Sequence, residues 1–364
     1  MFYLGQKRGV VTFSVLDNDE LVIRSVNGNL ELYNILLQES FPIYGRDSES
    51  KTYHYKKWIL ISKRKEDRNP MSYDLIKYDI STYQSEVLLE DSFPLYIYSS
   101  KLLVKKYLES KTVVAQFDLE LQVYEWELDF DFRPFCHVKG IVYGYMGRKH
   151  NTIVAVSRID GLVIWNFDLN KLGSWIDYSG KEKNIEASRI LGAHSNKLYI
   201  YLNNGKVLIL DVEFGERINI FENSKHPKFD TFGNSIEIDI RSNKLIQLAN
   251  QDLIEVDLES MEISMTEIKD MKSFGLENFS FVAFDSDYIF FTDKNHQTVG
   301  ALNRATKKLD WTYKLSQEGI SNSEQPRYGS ELRLKGDRFY VLDNKNTLQI
   351  FGIVLDSVKE THST

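Results

Sequence analysis

Cysteine is almost absent from this 364-residue chain, since Cys136 is the only one. No disulfide can form within the chain, so the fold does not depend on an oxidising compartment. Secretion signals are missing too: the apolar run at residues 10–16 is interrupted by Thr12 and Ser14, and no small-residue cleavage site follows. No segment approaches the roughly 20 apolar residues of a membrane span. We therefore expect a cytoplasmic protein without a membrane segment.

A concentrated charge of one sign is also missing. The chain has 45 Lys and Arg against 52 Asp and Glu, a net charge of −7 at pH 7, with both signs interspersed. Binding to a phosphate backbone needs a concentrated basic surface, so the sequence disfavours a nucleic acid as the partner. Hydrophobic residues make up 42% of the chain and include 21 Tyr and 21 Phe, which is ample material for packing sheets together.

Motifs of catalysis and cofactor binding are not found. The sequence has no GxSxG elbow, no P-loop, no GxGxxG and no HExxH. None of its seven histidines forms a pair at the short spacing of a zinc site, so we predict no metal and no cofactor. Cys136 and His137 are neighbours, and neighbours on a strand point to opposite faces, which disfavours a reactive pair. Residues 157–161 are interpreted as a hairpin turn, and Asp129 and Asp131 as part of a charged connection.

What the sequence does contain is a repeat. A strand ending in an apolar residue followed by Asp or Asn recurs eight times, at intervals of 39 to 50 residues and about 45 on average. This period, with strand signals only, is typical of the four-stranded blades of a β-propeller. The repeated positions, with a degenerate last copy, are Asn34, Asp79, Asp118, Asp168, Asp211, Asp257, Asn303 and Phe351.

The repeat predicts an all-β fold, a single closed β-propeller of four-stranded antiparallel blades. We expect eight blades, with seven as the alternative, over residues 1–355, and a polar C-terminal tail at 356–364. The clearest repeat predicts strands at 187–193, 197–202, 206–212 and 217–221. Asn204-Gly205 separates the second from the third, and Asn-Gly between alternating apolar runs is a strong hairpin signal because both turn positions tolerate positive φ.

Two further patterns concern the start and the end of the ring. The segments 40–44 (SFPIY) and 92–96 (SFPLY) are similar, and we interpret them as equivalent positions of two repeats. The last repeat supplies only three strands, whereas an apolar triplet at residues 2–4 precedes the first repeat. Pairing residues 2–4 with the strand at 347–353 would complete the last blade and remove an exposed sheet edge.

The repeats resemble those of the quinoprotein-type (PQQ-like) propeller superfamily. The resemblance rests on residues 306–311 (TKKLDW), and Trp126 and Trp175 lie at equivalent places of other repeats. Residues 160–166 (DGLVIWN) are also similar to the end of a WD40 repeat. The resemblance implies an eight-bladed ring in which Trp126, Trp175 and Trp311 lie in outer strands and are buried between blades. Enzymes of that superfamily use a quinone and calcium. This chain has no adjacent cysteine pair and no recognisable cluster of metal ligands, so we do not expect their chemistry.

Long segments between the predicted strands indicate a working surface. In a four-stranded blade the hairpins between the second and third strands and the connections to the next blade lie at the same end. The long segments of these two classes are 63–72, 130–137, 222–234 and 316–329. Arg and aromatic residues are typical anchors of protein interfaces. The candidate partner-binding residues are Arg64, Arg68, Arg133, Phe229, Phe232, Arg327 and Tyr328.

The function that follows is a non-catalytic scaffold, monomeric on its own, that binds another macromolecule, in our hypothesis a protein, through these loops. One form of the hypothesis is an immunity or inhibitor protein that blocks a toxin. The alternative is a carbohydrate-active or lactone-type hydrolase with acidic residues around a central channel. Converging carboxylates would favour the enzyme, and an aromatic rim with few carboxylates would favour binding.

Overall fold

The computed structural model describes residues 1–16, 19–44, 52–65, 72–109, 111–147, 150–221, 233, 235–315 and 329–353. The described chain forms eight four-stranded antiparallel blades arranged as a β-propeller, which confirms the predicted fold class with eight blades. Two compact units divide the chain, one made of Met1–Gly45 with Gly233–Thr364 and the other of Arg46–Phe232. No helix of the described ranges is long and apolar enough to cross a membrane.

The first unit begins with β1 (Phe2–Arg8) and then forms a complete blade. The strands of that blade are β2 (Val10–Val15), β3 (Glu20–Ser25), β4 (Leu30–Asn34) and β5 (Glu39–Tyr44).

The second unit contains four blades. The first two are β6 (Thr52–Tyr55), β7 (Trp58–Arg64), β8 (Tyr73–Asp79) and β9 (Gln84–Leu89), then β10 (Ser92–Tyr98), β11 (Lys101–Tyr107), β12 (Thr112–Asp118) and β13 (Val123–Leu128). The third blade is β14 (Phe132–Val138), β15 (Ile141–Met146), β16 (Thr152–Ser157) and β17 (Val163–Asp168). A 3-10 turn (Leu169–Leu172) and a separate two-stranded hairpin, β18 (Ser174–Ile176) and β19 (Glu182–Asn184), follow. The fourth blade is β20 (Ala187–His194), β21 (Lys197–Leu202), β22 (Val207–Asp211) and β23 (Arg217–Phe221).

The chain then returns to the first unit. One blade is β24 (Glu237–Asp239), β25 (Lys244–Ala249), β26 (Asp252–Asp257) and β27 (Ile263–Glu267), after which a short helix, α1 (Lys269–Phe274), leads to the next. That blade is β28 (Phe279–Phe284), β29 (Tyr288–Asp293), β30 (Thr298–Asn303) and β31 (Leu309–Lys314). The last is β32 (Gly329–Lys335), β33 (Arg338–Asp343) and β34 (Thr347–Gly352), with β1 as its fourth strand.

Burial explains why the middle strands of each blade read as continuous apolar runs. In β21 five successive residues, Leu198 to Leu202, are buried, because both faces of a middle strand are covered by other side chains. The outer strand β31 instead alternates between half-buried and exposed residues along its whole length. Strands buried on both faces lose the polar alternation of a half-exposed strand. The predicted strands of residues 187–221 agree with β20 to β23 within one residue.

The Asp or Asn of the repeat has a defined structural role at the turn between the third and fourth strands. The side-chain oxygen of Asn34 accepts hydrogen bonds from the backbone N–H groups of Leu36 and Leu37, both at 3.0 Å. Asp211 does the same for Glu213 and Phe214, both at 2.8 Å. Further side chains that accept backbone N–H groups in this way are Asp79, Asp118, Asp257 and Asn303. In each of these turns, the residue four positions after the Asx has a positive φ.

One of the predicted repeat positions is wrong. Asp168 ends β17, the fourth strand of its blade, and caps the 3-10 turn by accepting from the Asn170 backbone N–H at 2.9 Å. The equivalent turn position is Ser157 at the end of β16, whose hydroxyl accepts from the Ile159 N–H at 3.3 Å. Serine replaces the Asx there, and the repeat was assigned instead to Asp168, which also follows an apolar residue. The segment 157–161 is a hairpin turn, as predicted.

Tryptophans of the outer strands pack on glycines of the following blade. Trp126 in β13 and Trp165 in β17 are each 7% exposed. The indole N–H of Trp126 donates to the Arg158 carbonyl at 3.0 Å, and its ring lies against Gly161. Trp165 repeats this arrangement with the Val212 carbonyl at 2.9 Å and Gly215. Burial of Trp126 in an outer strand is thereby confirmed.

The other two predicted tryptophans differ from this arrangement. Trp175 lies in β18 of the additional hairpin, so the prediction of an outer-strand position is wrong; it follows from the same shift that misplaced Asp168. Trp311 does lie in an outer strand, β31, but is half-buried and packs edge-on against Phe339 and Phe351. The blade after it has no covalent turn between its third and fourth strands, because the fourth is β1.

The predicted closure is confirmed, and the closing strand is longer than the predicted triplet. β1 pairs antiparallel with β34 through six residue pairs, from Phe2 opposite Gly352 to Arg8 opposite Thr347. The similarity between residues 40–44 and 92–96, in contrast, does not mark equivalent positions. Residues 40–44 belong to the outer strand β5, whereas residues 92–96 begin the first strand β10. Both segments lie in edge strands. Proline is tolerated there because a backbone N–H that points away from the sheet makes no hydrogen bond to a neighbouring strand.

The Asx turns allow a simple stability test. We expect Asn34→Ala to lower the free energy of unfolding by about 1 kcal/mol, because two backbone N–H groups lose their acceptor. Asn34→Asp restores the residue found in other blades and should stay within about 0.5 kcal/mol of the wild type. Urea unfolding followed by circular dichroism measures both. Equal stability of the Ala variant and the wild type would contradict this role.

Candidate interaction surface

The structure describes two of the seven predicted partner-binding residues. Arg64 is the last residue of β7, half-buried, and lies opposite Tyr73 where the hairpin of residues 63–72 begins. Arg133 is exposed and lies in β14. The remaining candidates lie outside the described residues, as do the central parts of the segments that carry them. These are Arg68, Phe229, Phe232, Arg327 and Tyr328.

The assignment of residues 130–137 as a connection is wrong. Only Asp129 to Asp131 link β13 to β14, and the strand begins at Phe132. Its side chains alternate, with Phe132 buried and Arg133 exposed, which is the period of an extended strand. Cys136 and His137 also lie on opposite faces, and burial raises the pKa of the Cys136 thiol to about 12, so the thiol is not a ready nucleophile. The Asp131 carboxylate forms an ion pair with Lys105 at 3.5 Å.

A feature that sequence reasoning missed is the hairpin β18–β19. It lies in the connection between β17 and β20, at the end of the blades where the hairpins between second and third strands also lie; we call this the loop end. The interval that contains the hairpin runs from Ser157 to Asp211 and is longer than any interval of the predicted repeat, but the assignment of Asp168 to the repeat concealed it. The turn sequence Asp177-Tyr178-Ser179-Gly180 was the local signal that could have identified the hairpin.

The base of this hairpin is fixed to the two flanking blades. The Asn203 side chain, in the β21–β22 turn, accepts from the Glu186 N–H at 3.2 Å and donates to the Asn184 carbonyl at 3.0 Å. The Ala187 N–H donates to the carbonyl of His150, in the β15–β16 turn, at 3.1 Å. Trp175 and the buried Leu169 and Ile185 pack into the apolar core of the same two blades. The hairpin is therefore a fixed part of the loop end.

The tip of the hairpin is organised by the Asp177 carboxylate. One oxygen accepts from the Ser179 N–H at 2.8 Å, the Ser179 hydroxyl at 2.6 Å and the Lys181 N–H at 3.1 Å. The other forms an ion pair with Lys183 at 2.9 Å. The Ser179 hydrogen bond and then the Lys183 ammonium hold the pKa of Asp177 well below its usual range. The carboxylate therefore keeps the turn in one conformation at neutral pH.

Two large side chains of the hairpin face solvent. Tyr178 is 103% exposed relative to an extended reference, and Ile176 is 72% exposed. Around them Lys181, Glu182 and Lys183 are exposed as well. An aromatic and an aliphatic side chain on a turn with few conformations lose little entropy when they are buried by a partner. This arrangement is suited to binding rather than to chemistry.

The exposed Arg133 lies close to the base of the hairpin. Its guanidinium contacts His150 Nε2 at 3.2 Å, and because a guanidinium can only donate, Nε2 is the acceptor. The His150 ring stacks on Tyr145, with ring centroids 4.5 Å apart and planes at 14°. The His150 carbonyl also accepts the N–H of Ala187, the first residue of β20, so Arg133 lies beside the strand that follows the hairpin. We define the loop-end surface as Arg133, His150, Ile176 and Tyr178.

Acidic, histidine and cysteine side chains are dispersed over the described ranges. No group of three or more His, Cys, Asp or Glu within them could hold a metal ion. The carboxylates near the predicted surface are engaged: Asp74 and Asp91 both pair with Lys65, at 2.9 and 3.0 Å. Asp177 is used in its own turn. In the described part of the loop end, these carboxylates are held by lysines and by backbone N–H groups.

Comparison with known proteins places the chain among propellers without naming a family. No family model and no curated protein matches the sequence. Among solved structures, the computationally designed Ika8 protein is 12% identical with a TM-score of 0.61, covering 96% of this chain and 98% of that one. BamB from Moraxella catarrhalis is 13% identical with a TM-score of 0.60, covering 97% and 99%. Sqt1 from Saccharomyces cerevisiae is 10% identical with a TM-score of 0.56, covering 95% and 96%. Likenesses at these identities show the fold.

Proposed function

We propose that this protein is a non-catalytic β-propeller that binds a protein partner through the loop-end surface. The observation that carries the proposal is the Asp177 turn, which displays Tyr178 and Ile176 fully or largely exposed on a hairpin fixed to two blades. Interfaces are dominated by a few aromatic, aliphatic and Arg anchors that become buried on binding. Arg133, identified from the sequence, adds a cation beside this hairpin.

The wider identity is part of the same proposal. Two successive Trp–Gly contacts between blades support a divergent relationship to the quinoprotein-type propellers, whose repeats the sequence resembles. We propose that the protein is a cytoplasmic monomer on its own and binds its partner in the cytoplasm. An immunity or inhibitor protein acting on a toxin is the most specific form of the hypothesis, and a rigid scaffold with exposed anchors suits such a role.

The experiment compares two double variants of the full-length protein. Ile176→Ser/Tyr178→Ser removes the hairpin anchors, while Tyr83→Ser/Ile159→Ser removes the same two residue types from turns at the opposite end of the blades, where they are 67% and 83% exposed. All four side chains are exposed, so both double variants should fold, which circular dichroism checks. Tagged proteins capture partners from a lysate of the source cells, and mass spectrometry quantifies them.

We expect one captured protein to be retained by the wild type and the opposite-end variant and to be lost with the hairpin variant. With purified components, the dissociation constant should rise at least about tenfold for the hairpin variant, since loss of a central anchor removes about 2 kcal/mol or more. The proposal is wrong if both double variants bind that partner as the wild type does, or if both lose it equally.

A further inference from the structure

A second site lies in the first unit and uses no residue of the loop-end surface. It is a cleft of about 250 Å³ beside the C-terminal end of α1, against the ends of β30 and β31. This volume exceeds the roughly 150 Å³ that holds a benzene molecule in an engineered protein cavity. The residues that line it are Phe274, Leu276, His296, Thr298, Thr312 and Lys314.

The His296 ring in this cleft is held by a buried carboxylate. Asp293 is fully buried, and one of its oxygens accepts the His296 backbone N–H at 2.7 Å and contacts His296 Nδ1 at 3.1 Å. Its other oxygen accepts the N–H groups of Glu277 and Asn278, at 2.9 and 2.8 Å. A carboxylate that receives these N–H groups acts only as an acceptor, so Nδ1 carries the hydrogen. Nε2 is then the nitrogen left for a ligand, and in the neutral ring it accepts a hydrogen bond.

Space beside Nε2 depends on Gly275. This residue caps α1 in the left-handed conformation, with φ of 69° and ψ of 15°. A Cβ at this position would lie 3.2 Å from His296 Nε2, which is closer than ordinary van der Waals contact. Glycine therefore both ends the helix and leaves the ring nitrogen accessible from the cleft.

The charge and polarity of the other residues that line the cleft indicate the chemical class of its ligand. Lys314 is exposed in β31 and forms no ion pair with any residue of the described ranges. Of the acids on the adjoining elements, Asp270 accepts the Leu309 N–H at 3.0 Å and Glu267 pairs with Lys272 at 2.9 Å, while Glu277, next to Leu276, is exposed. Thr312 adds a hydroxyl group, and so does Thr298, whose own hydrogen is donated to the His296 carbonyl at 3.0 Å. The buried Leu276 and the exposed Phe274 supply an apolar wall.

We propose that this cleft binds a small organic hydroxy acid, with its carboxylate at Lys314, its hydroxyl donating to His296 Nε2 and its apolar frame against Phe274 and Leu276. An ammonium favours a carboxylate, whereas a neutral imidazole nitrogen favours a hydroxyl donor. Few convergent polar groups around an apolar wall are the usual composition of a small-ligand site. This proposal stands or falls separately from the protein-binding function.

The probes are 3- and 4-hydroxybenzoate, titrated into the isotope-labelled full-length protein while amide resonances are recorded. We expect saturable shifts at Thr298, Thr312 and Lys314, with a dissociation constant on the order of 1 mM for the better isomer, as befits a ligand of this size. Benzoate, which lacks the hydroxyl, should bind about fivefold more weakly, and the corresponding hydroxybenzamide, which lacks the charge, about tenfold.

Matched variants locate the binding. Lys314→Gln should weaken binding about tenfold, whereas Lys308→Gln, the same change just before the start of β31, should leave it unaltered. Gly275→Ala should abolish the preference for the hydroxyl, whereas Gly336→Ala, at φ of 59° with no atom within 4 Å of the added Cβ, should retain it. The proposal is overturned if neither isomer gives saturable shifts at these residues by about 20 mM, if the amide binds as well as the acid, or if the two lysine variants behave alike.

Discussion

Deletion of residues 2–8 is expected to lower the free energy of unfolding by about 3–6 kcal/mol, the largest loss that we predict for this protein. The deletion removes β1 and its six residue pairs with β34, each of which contributes about 0.2–1 kcal/mol through its side chains in addition to the ladder hydrogen bonds. It also removes the Phe2 ring that covers Gly352 and the Tyr3 ring that stacks on Tyr313 with centroids 5.5 Å apart. The last blade is left with three strands.

A second consequence follows from the newly exposed edge of β34. Every residue of β34 is buried in the intact protein, so the truncated protein presents an apolar strand with unpaired N–H and C=O groups. We therefore expect association of the truncated protein, visible as larger species in size-exclusion chromatography. Denaturant unfolding followed by circular dichroism measures the stability loss.

A complementation experiment serves as the control. A peptide of residues 1–9 added to the truncated protein should restore much of the lost stability, because it can occupy the same edge. A peptide carrying Phe2→Ser and Tyr3→Ser should restore less, since it lacks the rings that pack on Gly352 and Tyr313. If the truncated protein were as stable as the wild type, closure by β1 would have no energetic importance.

The second large effect is expected for Gly215→Ala, at about 3 kcal/mol. Gly215 has φ of 69°, which an alanine adopts only at a cost of about 1 kcal/mol. The added Cβ would also lie 2.4 Å from the Trp165 ring, so the indole must move. That movement disturbs both the packing of a side chain that is only 7% exposed and its hydrogen bond to the Val212 carbonyl.

Gly140→Ala separates the two contributions. Gly140 has φ of 82°, and nothing lies within 4 Å of a Cβ added there, so this variant has the backbone strain without the collision. We expect it to be about 2 kcal/mol less destabilised than Gly215→Ala. A double variant with Trp165→Phe should show a combined loss smaller than the sum of the single losses, because the two residues share one contact. Equal effects of the two alanine variants would falsify the packing role of Gly215.

Much of the fold was predictable because the repeat has a local cause. Each Asx side chain closes its own turn with neighbouring backbone N–H groups, as Asn34 and Asp211 do, so its position is written in a few adjacent residues. The middle strands are apolar because both of their faces are covered. Residues 197–202 were accordingly predicted as a strand at the bounds of β21.

Prediction failed where one residue type serves two different roles. Asp168 follows an apolar residue as the repeat positions do, yet it caps a 3-10 turn. Ser157 performs the turn role with a hydroxyl, and a single sequence gives no reason to prefer it. Because Asp168 was assigned to the turn, Trp175 instead of Trp165 was expected in the outer strand, and the hairpin β18–β19 was not predicted. The residues of that hairpin, Tyr178 above all, could not be recognised as a surface until their exposure was known.

The candidate sites depend on contacts between residues far apart in the chain. Arg133 was identified from composition, but its partner His150 lies on another strand-to-strand turn and the hairpin it adjoins was not foreseen. The cleft of the first unit joins residues of α1, β30 and β31, and the role of His296 is set by a buried Asp293 that looks ordinary in sequence. Local sequence patterns do not show which distant residues come into contact.

From the sequence alone, a propeller of four-stranded blades and the closing role of the N-terminal strand follow, with eight blades expected and seven as the alternative, because hydrophobic periodicity and turn chemistry act over a few residues and recur. The tertiary structure was needed to show which tryptophans pack between blades, that the connection after β17 forms a fixed hairpin with Tyr178 at its tip, and that His296 faces a cleft with Lys314. Those features arise from packing between segments that are distant in the sequence. The exposure of a side chain and its distance from its neighbours are determined only once the blades have assembled.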